Sequence, residues 1–357
     1  MALTSALSFE HVIKGSGYGY DYVGYGLSVS EYAAPAFSLD STFRPTTGVS
    51  ANTFYFLGNT ATVLNWGEWV GASLLINHSA NSDYTKKRGW FSVKFSLERP
   101  PPECVILYYQ DVPILTVKNF MTGAINRLCQ ADVCVDRERD EIRVYVDGVL
   151  VQTTPFWRGL SRQATSMIRF GSTGRYRLSV TGTTQYQYFA VHFKDIIFYD
   201  DTEDDTLCGP PGDYRIQRLP VVNAAGTGWS VAGSTSSLTV VLNFMPLNSN
   251  DAPNAFRAAS PNNAAPLAYT LDTSSIGEKE TVEGLFTLHS GYRSSSSATL
   301  QMKYTQPAAT PVTQSVAFKT TNVMEYGVKV PIMNKSPAGA KWTKQALSQL
   351  SVETAIV

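Results

Sequence analysis

Three acidic side chains stand two residues apart at Asp136, Glu138 and Asp140, inside the run DRERDE at 136–141. Alternate residues of a strand share a face. Two carboxylates held a few ångströms apart are what a glycoside hydrolase uses as nucleophile and acid. No apolar residue interrupts the run, though, and a catalytic acid needs a desolvating neighbour to raise its pKa. Arg137 and Arg139 interleave the acids, so the pattern reads as a solvated turn ahead of the strand that starts at Glu141. A second acidic cluster, Asp200, Asp201, Glu203, Asp204 and Asp205, offers oxygen ligands of the kind calcium takes. It lacks the glycine and closing glutamate of an EF-hand loop and reads as an exposed linker. There is no GxSxG elbow and no cysteine beside a histidine, so nucleophilic catalysis has no visible machinery. Cys104, Cys129, Cys134 and Cys208 form no CxxC pair, and His11, His78, His192 and His289 are isolated, which leaves no metal framework. The sequence therefore predicts no catalytic, cofactor-binding or metal-binding residue. For ligand contact it leaves Trp66 and Trp69 in NWGEW, whose rings could stack on a sugar, against the commoner role of tryptophan in a core.

The elements around these residues read as strands. In residues 90–98, Phe91, Val93, Phe95 and Leu97 share one face, and Ser92, Lys94, Ser96 and Glu98 the other. Residues 103–109 are apolar almost throughout, as in a strand buried on both sides, and the prolines at 100–102 separate the two strands. In EIRVYVDGVLVQT, 141–153, alternating runs flank Asp147 and Gly148. Asp-Gly is the favoured two-residue hairpin turn because both positions need positive φ. Another strand covers 188–199. The glycine- and tyrosine-rich stretch GSGYGYDYVGYG, 15–26, has no strand-to-helix context and no Lys-Ser or Lys-Thr, so it reads as a loop with packed tyrosines and not as a phosphate cradle. Cys104, Cys129 and Cys134 lie in apolar runs and read as small buried hydrophobes, with one disulfide left open.

After DDTEDDT at 200–206 and GPPGD at 209–213 the composition shifts, and the expected boundary divides the chain into domains 1–205 and 206–357. The second half has strand patterns at 238–245, 284–288, 298–304, 311–319 and 326–332. A short helical pattern at 341–350 precedes a last strand at 351–357. Many short strands with Gly-, Pro- and Ser-rich turns predict an all-β fold of two antiparallel β-sandwiches. Charged residues are only 16% and balance at 29 of each sign. A nucleic-acid binder needs a basic stripe, so nucleic acid is excluded as a partner, while a neutral surface favours packing beside copies of itself. The opening MALTSALSFEHVIKG has no basic start and no apolar run, so the expectation is a protein without signal peptide or membrane insertion, made in the cytoplasm.

Residues 134–153 resemble the strand, Asp-Gly turn and return strand of concanavalin-like or laminin-G-like jelly rolls. Residues 192–233 resemble a junction in a group of tailed-bacteriophage virion proteins. Its elements here are Lys194, Asp195 and Ile196, a glycine-containing loop through Gly209, the strand 214–220, and the turn Gly228, Trp229, Ser230. The closing segment SPAGAKWTKQALSQLSVET, 336–354, is similar to the end of the same group. The resemblance covers about residues 85–357. It departs from the group where Cys208 stands between Leu207 and Gly209, in place of a direct Leu-Gly. It implies a lectin-like jelly roll followed by a C-terminal β-sandwich, in a non-enzymatic virion component of the tail or its attachments. The implied partners are other virion proteins, copies of itself and host surface glycan. Within the resemblance, the alternatives are a capsid decoration or head–tail collar protein. Outside it stands a carbohydrate-binding module or weak glycosidase acting on host glycans.

Overall fold

The structure, a computed structural model, describes residues 2–14, 20–25, 27–32, 40–44, 53–59, 73–78, 88–98, 104–109, 112–117, 127–136, 138–155, 166–173, 188–200, 212–232, 237–243, 257–259, 265–291, 299–317 and 325–357. The fold is all-β, with antiparallel sheets and two helices of six and five residues among the described residues. None of the described helices is long and apolar enough to cross a membrane.

The chain divides into two compact units, one formed by Met1–Val12 and Gly26–Ile216 and the other by Ile13–Tyr25 and Gln217–Val357. The boundary thus falls after Ile216, beyond the expected 205/206. Residues 212–216 stay with the first unit because Lys94 Nζ pairs with Asp213 at 2.6 Å and the Tyr214 hydroxyl donates to the Asp195 carbonyl at 2.7 Å. The expected loop at 15–26 is likewise a strand over Tyr20–Tyr25, β2, as the alternating YDYVGY allows.

The other strands up to Asp200 are β1 (Ala2–Lys14), β3 (Leu27–Tyr32), β4 (Asp40–Arg44), β5 (Thr53–Asn59), β6 (Ser73–His78), β7 (Arg88–Glu98), β8 (Cys104–Tyr109), β9 (Val112–Val117), β10 (Cys129–Asp136), β11 (Glu141–Val146), β12 (Val149–Pro155), β13 (Ser166–Thr173) and β14 (Tyr188–Asp200). One sheet runs β12-β11-β10-β7-β14-β1, with β5 and β4 added beside β14, and the other runs β3-β6-β13-β8-β9. Period 2 decides which residues fill the interior: Phe91, Val93 and Phe95 of β7, Ala131, Val133 and Val135 of β10, and Ile142 and Val144 of β11 are all at most 2% exposed. Burying such side chains contributes about 1.5–3 kcal/mol each, before the entropy of ordering them. Cys129 and Cys134 are buried thiols in the same strand.

The second unit holds β15 (Val221–Ala225), β16 (Ser230–Ala232), α1 (Leu238–Asn243), β17 (Arg257–Ala259), β18 (Leu267–Leu271), β19 (Leu288–Gly291), β20 (Leu300–Thr305), β21 (Val312–Val316), β22 (Glu325–Lys329), α2 (Lys344–Ser348) and β23 (Ser351–Ile356). Its main sheet runs β15-β18-β23-β20-β21, and β16–β17 and β19–β22 form two-stranded ribbons. The core gathers Leu267, Tyr269, Met302, Tyr304, Trp342, Leu350 and Val352. The expected helix at 341–350 is α2, where the Thr343 side chain caps by accepting from Ala346 N at 3.0 Å. The expected strand at 238–245 is instead the helix α1. The LTVVLN run suits a strand by composition, but Asn243 decides otherwise. Its side chain accepts from Val221 N at 2.8 Å and donates to Val221 O at 2.6 Å, so a side chain fills the edge position that a strand backbone would take. The pattern expected as a strand at 284–288 is a single bridge between Leu285 and Met333, and the strand proper begins at Leu288.

Candidate functional site: an open groove at one end of a polar sheet face

The outward face of β7, β10 and β11 carries the chemistry of the first unit. Register brings Asp136 opposite Arg88 and Glu141, Cys134 opposite Trp90 and Arg143, Asp132 opposite Ser92 and Tyr145, and Gln130 opposite Lys94. The face expected to carry Ser92 and Lys94 is not uniformly open: Ser92 and Asp132 are at most 1% exposed. Trp90 stacks between Tyr145 and Tyr199, with ring centroids 5.9 and 6.0 Å away. Beside this stack, Ser92 Oγ donates to Asp132 Oδ1 at 2.5 Å and lies 3.3 Å from the Tyr199 hydroxyl. Burial pushes the Asp132 carboxyl above its ordinary value, and the hydrogen bonds from Ser92 and Gln130 pull the other way.

Asp136 is fully buried, which corrects the expectation of a solvated DRERDE turn. One carboxylate oxygen accepts the backbone N–H groups of Glu138 and Arg139, both at 3.1 Å. The other receives Arg143 at 2.8 Å and stands 3.5 Å from Arg88. The turn places Asp140 at φ 52°, in the left-handed region that Asp tolerates better than most residues. Asp136 supplies a local anchor, as Asx side chains do in turns. Glu138 points outward, 49% exposed. The three acids therefore divide into a buried brace, an exposed surface group and a left-handed turn residue, and they do not form a catalytic pair.

Asp147 and Gly148 make the expected hairpin turn, with φ of 49° and 79°. The sequence did not reveal the second task of Asp147. Its carboxylate accepts Gln130 N at 2.9 Å and Arg127 at 2.7 Å, while its own N–H donates to Gln130 O at 2.9 Å. The turn is thereby fastened to the start of β10. The strict alternation expected along β12 is broken by a bulge, since Val144 pairs with Gln152 and Tyr145 with Leu150.

Between this turn and residues 212–213 lies an open groove of about 660 Å³, lined by Lys94, Leu128, Cys129, Gln130, Asp132, Asp147, Gly148, Gly212 and Asp213. Gln130 Nε2 donates to Asp132 Oδ1 at 2.9 Å and to Gly212 O at 2.7 Å, and Gln130 Oε1 accepts from no described residue. Lys94 Nζ lies 5.3 Å from the Tyr214 ring centroid, a cation–π distance that adds to its ion pair with Asp213. The Tyr214 hydroxyl is driven well above its ordinary pKa by burial, then by the nearby Asp195 charge, so it stays a neutral donor. Burial also raises the Cys129 thiol to about 11, which keeps it protonated and unreactive. A sequence signal for this face exists: Gln130, Asp132, Cys134 and Asp136 alternate with Ala131, Val133 and Val135.

The other sequence candidates fall elsewhere. Trp66 and Trp69 lie outside the described residues, as do Asp201, Glu203, Asp204, Asp205 and Cys208. Cys104 opens β8. No group of three or more His, Cys, Asp or Glu able to hold a metal occurs among the described residues. The junction motif that resembles virion proteins is structural in its visible parts. Asp195 is a bulge residue at φ 47°, Tyr214 ties back to it, and Trp229 Nε1 donates to Ala265 O at 2.9 Å.

No protein-family model matches the sequence, and no curated protein matches it. Among solved structures, the chain is similar to a botulinum neurotoxin serotype C1 binding domain, at 10% identity and TM-score 0.33 over 99% of this chain and 98% of that one. It is similar to a sialidase at 13% identity and TM-score 0.28, spanning 43% of this chain and only 16% of the sialidase. It is also similar to the alginate lyase AlyC3 at 11% identity and TM-score 0.26, over 42% of this chain and 75% of that one. Likeness this slight assigns neither kinship nor activity.

Proposed function

We propose that this chain is a non-catalytic binding protein whose first unit takes carbohydrate in the groove between the Asp147–Gly148 turn and residues 212–213. The observation that carries the reading is the open groove itself, which sets Lys94, Gln130, Asp132 and Asp213 beside Leu128 and Cys129. Sugar hydroxyls both donate and accept, and such mixed side chains suit them. Leu150, on the register row of Tyr145 and Asp132, is half exposed and offers apolar contact to the ring carbons. The non-enzymatic part of the reading is supported by Asp136, which is fully buried with its oxygens taken by two amides and two arginines. The test is a glycan array followed by calorimetry. Millimolar or tighter binding that weakens about ten-fold in Gln130→Ala, a loss of about 1.4 kcal/mol, supports the reading. No retention of any glycan, or release of reducing ends by the wild type, overturns it.

A second reading is a structural component of a tailed-phage virion, in the tail, a collar or a capsid decoration. The hairpin tip favours it, since Val149 and Leu150 are 64% and 50% exposed on a chain of zero formal charge. Its location would then be the virion, and cryo-electron microscopy of assembled particles is the direct check.

A further inference from the structure

We infer that the groove selects uncharged saccharides over acidic ones, an inference that rests on the carbohydrate-binding reading above. Its lining holds three carboxylates, Asp132, Asp147 and Asp213, against one ammonium, Lys94. That ammonium is already engaged, because Asp213 lies 2.6 Å from Nζ while the Lys94 side chain is only 12% exposed. The nearest guanidinium, Arg127, is engaged as well, 2.7 Å from Asp147. An incoming uronate or sialate would have to displace one of these carboxylates from its cation. It would then sit among the others in a recess where like charges repel more strongly than in water. Asp132 adds to the penalty, since its burial already disfavours negative charge at the floor.

A hydroxyl meets no such penalty. Asp213 is 93% exposed and able to accept from a ligand while keeping Lys94. A neutral sugar can donate to it without breaking the ion pair. Asp213 thus stands where the carboxylate of an acidic ligand would bind and excludes it by charge and by occupancy. Selectivity of this kind comes from the cost imposed on the wrong ligand as much as from contacts to the right one.

The experiment is calorimetry of the full chain with two probe sets. Maltohexaose, laminarihexaose and a galacto-oligosaccharide are the neutral set. Sialyllactose and an oligo-alginate are the acidic set. Each is measured at low and at high sodium chloride. At least one neutral probe should bind, the acidic probes at least about ten-fold more weakly at low salt, and the gap should narrow at high salt as charges are screened. Asp213→Asn, at an exposed position, should narrow the gap between neutral and acidic affinity by about ten-fold at low salt. Acidic probes that bind as tightly as neutral ones, or an Asp213→Asn variant with unchanged preference, overturn the selectivity and leave carbohydrate binding standing. Failure of every probe to bind at either salt overturns both.

Discussion

The two ends of β10 carry polar side chains on the same face and put them to opposite uses. At Asp136 both oxygens are occupied, by the amides of Glu138 and Arg139 and by Arg143 and Arg88. At Gln130, six residues earlier, the side-chain amide ties Asp132 to Gly212 on the wall of an open groove. A buried carboxylate with all its partners inside the protein can only hold structure. A polar group on the wall of an open groove can meet a ligand. Polarity does not separate these cases, and access does.

The sharpest way to break this comparison is Asp136→Ala, which removes the acceptor of two amides and the shared partner of Arg143 and Arg88. Breaking a buried charge network from one side should cost about 3–5 kcal/mol, read from urea unfolding of the full chain. A loss below about 1 kcal/mol would show the brace to be dispensable. Gly148→Val, at φ 79°, should cost about 1–2 kcal/mol for the left-handed conformation. It should also weaken groove binding, because the turn positions Asp147 against Gln130. Gln130→Ala should cost about 1 kcal/mol of stability, by losing the tie to Gly212, while removing about ten-fold of affinity at the open end.

Asp132 sharpens the comparison through pH. Its folded pKa is raised, so the folded state holds its proton more tightly than the unfolded chain does. That contribution is present at low pH and lost as pH climbs from about 4 through the raised value. Asp132→Asn should therefore gain on the wild type as pH rises across that window, and a constant difference in melting temperature would sink the assignment. The smallest effect belongs to Glu138→Gln, which should stay within about 0.5 kcal/mol because its carboxylate is half in solvent.

Much of the fold was legible from alternation. Phe91, Val93 and Phe95 turn inward as their spacing predicts, the Asp147–Gly148 turn has both positive φ values, and Met302 and Tyr304 are buried while Lys303 is exposed. Local periodicity failed where a distant partner decides. α1 reads as a strand until Asn243 meets Val221. Ser92 reads only as one of a polar face until its register opposite Asp132 buries it beside the Tyr199 hydroxyl. The groove itself was invisible for the same reason. Its walls come from residues 94, 128–132, 147–148 and 212–213, and no sequence window contains them together. The sugar-stacking expectation at Trp66 and Trp69 lies outside the described residues.

The strap at 212–216 has a mechanical consequence. It is the last stretch of the first unit before the chain enters the second at Gln217. Tension drawn through Gln217 reaches the Tyr214 bond to Asp195 first, then Asp213 on Lys94, then the Gly212 carbonyl on Gln130. These three fasteners are loaded in series and peel singly, whereas the ladder between β10 and β7 shares its load across eight residue pairs. A pull at Gln217 would therefore strip one wall of the groove long before it disturbed the sheet beneath.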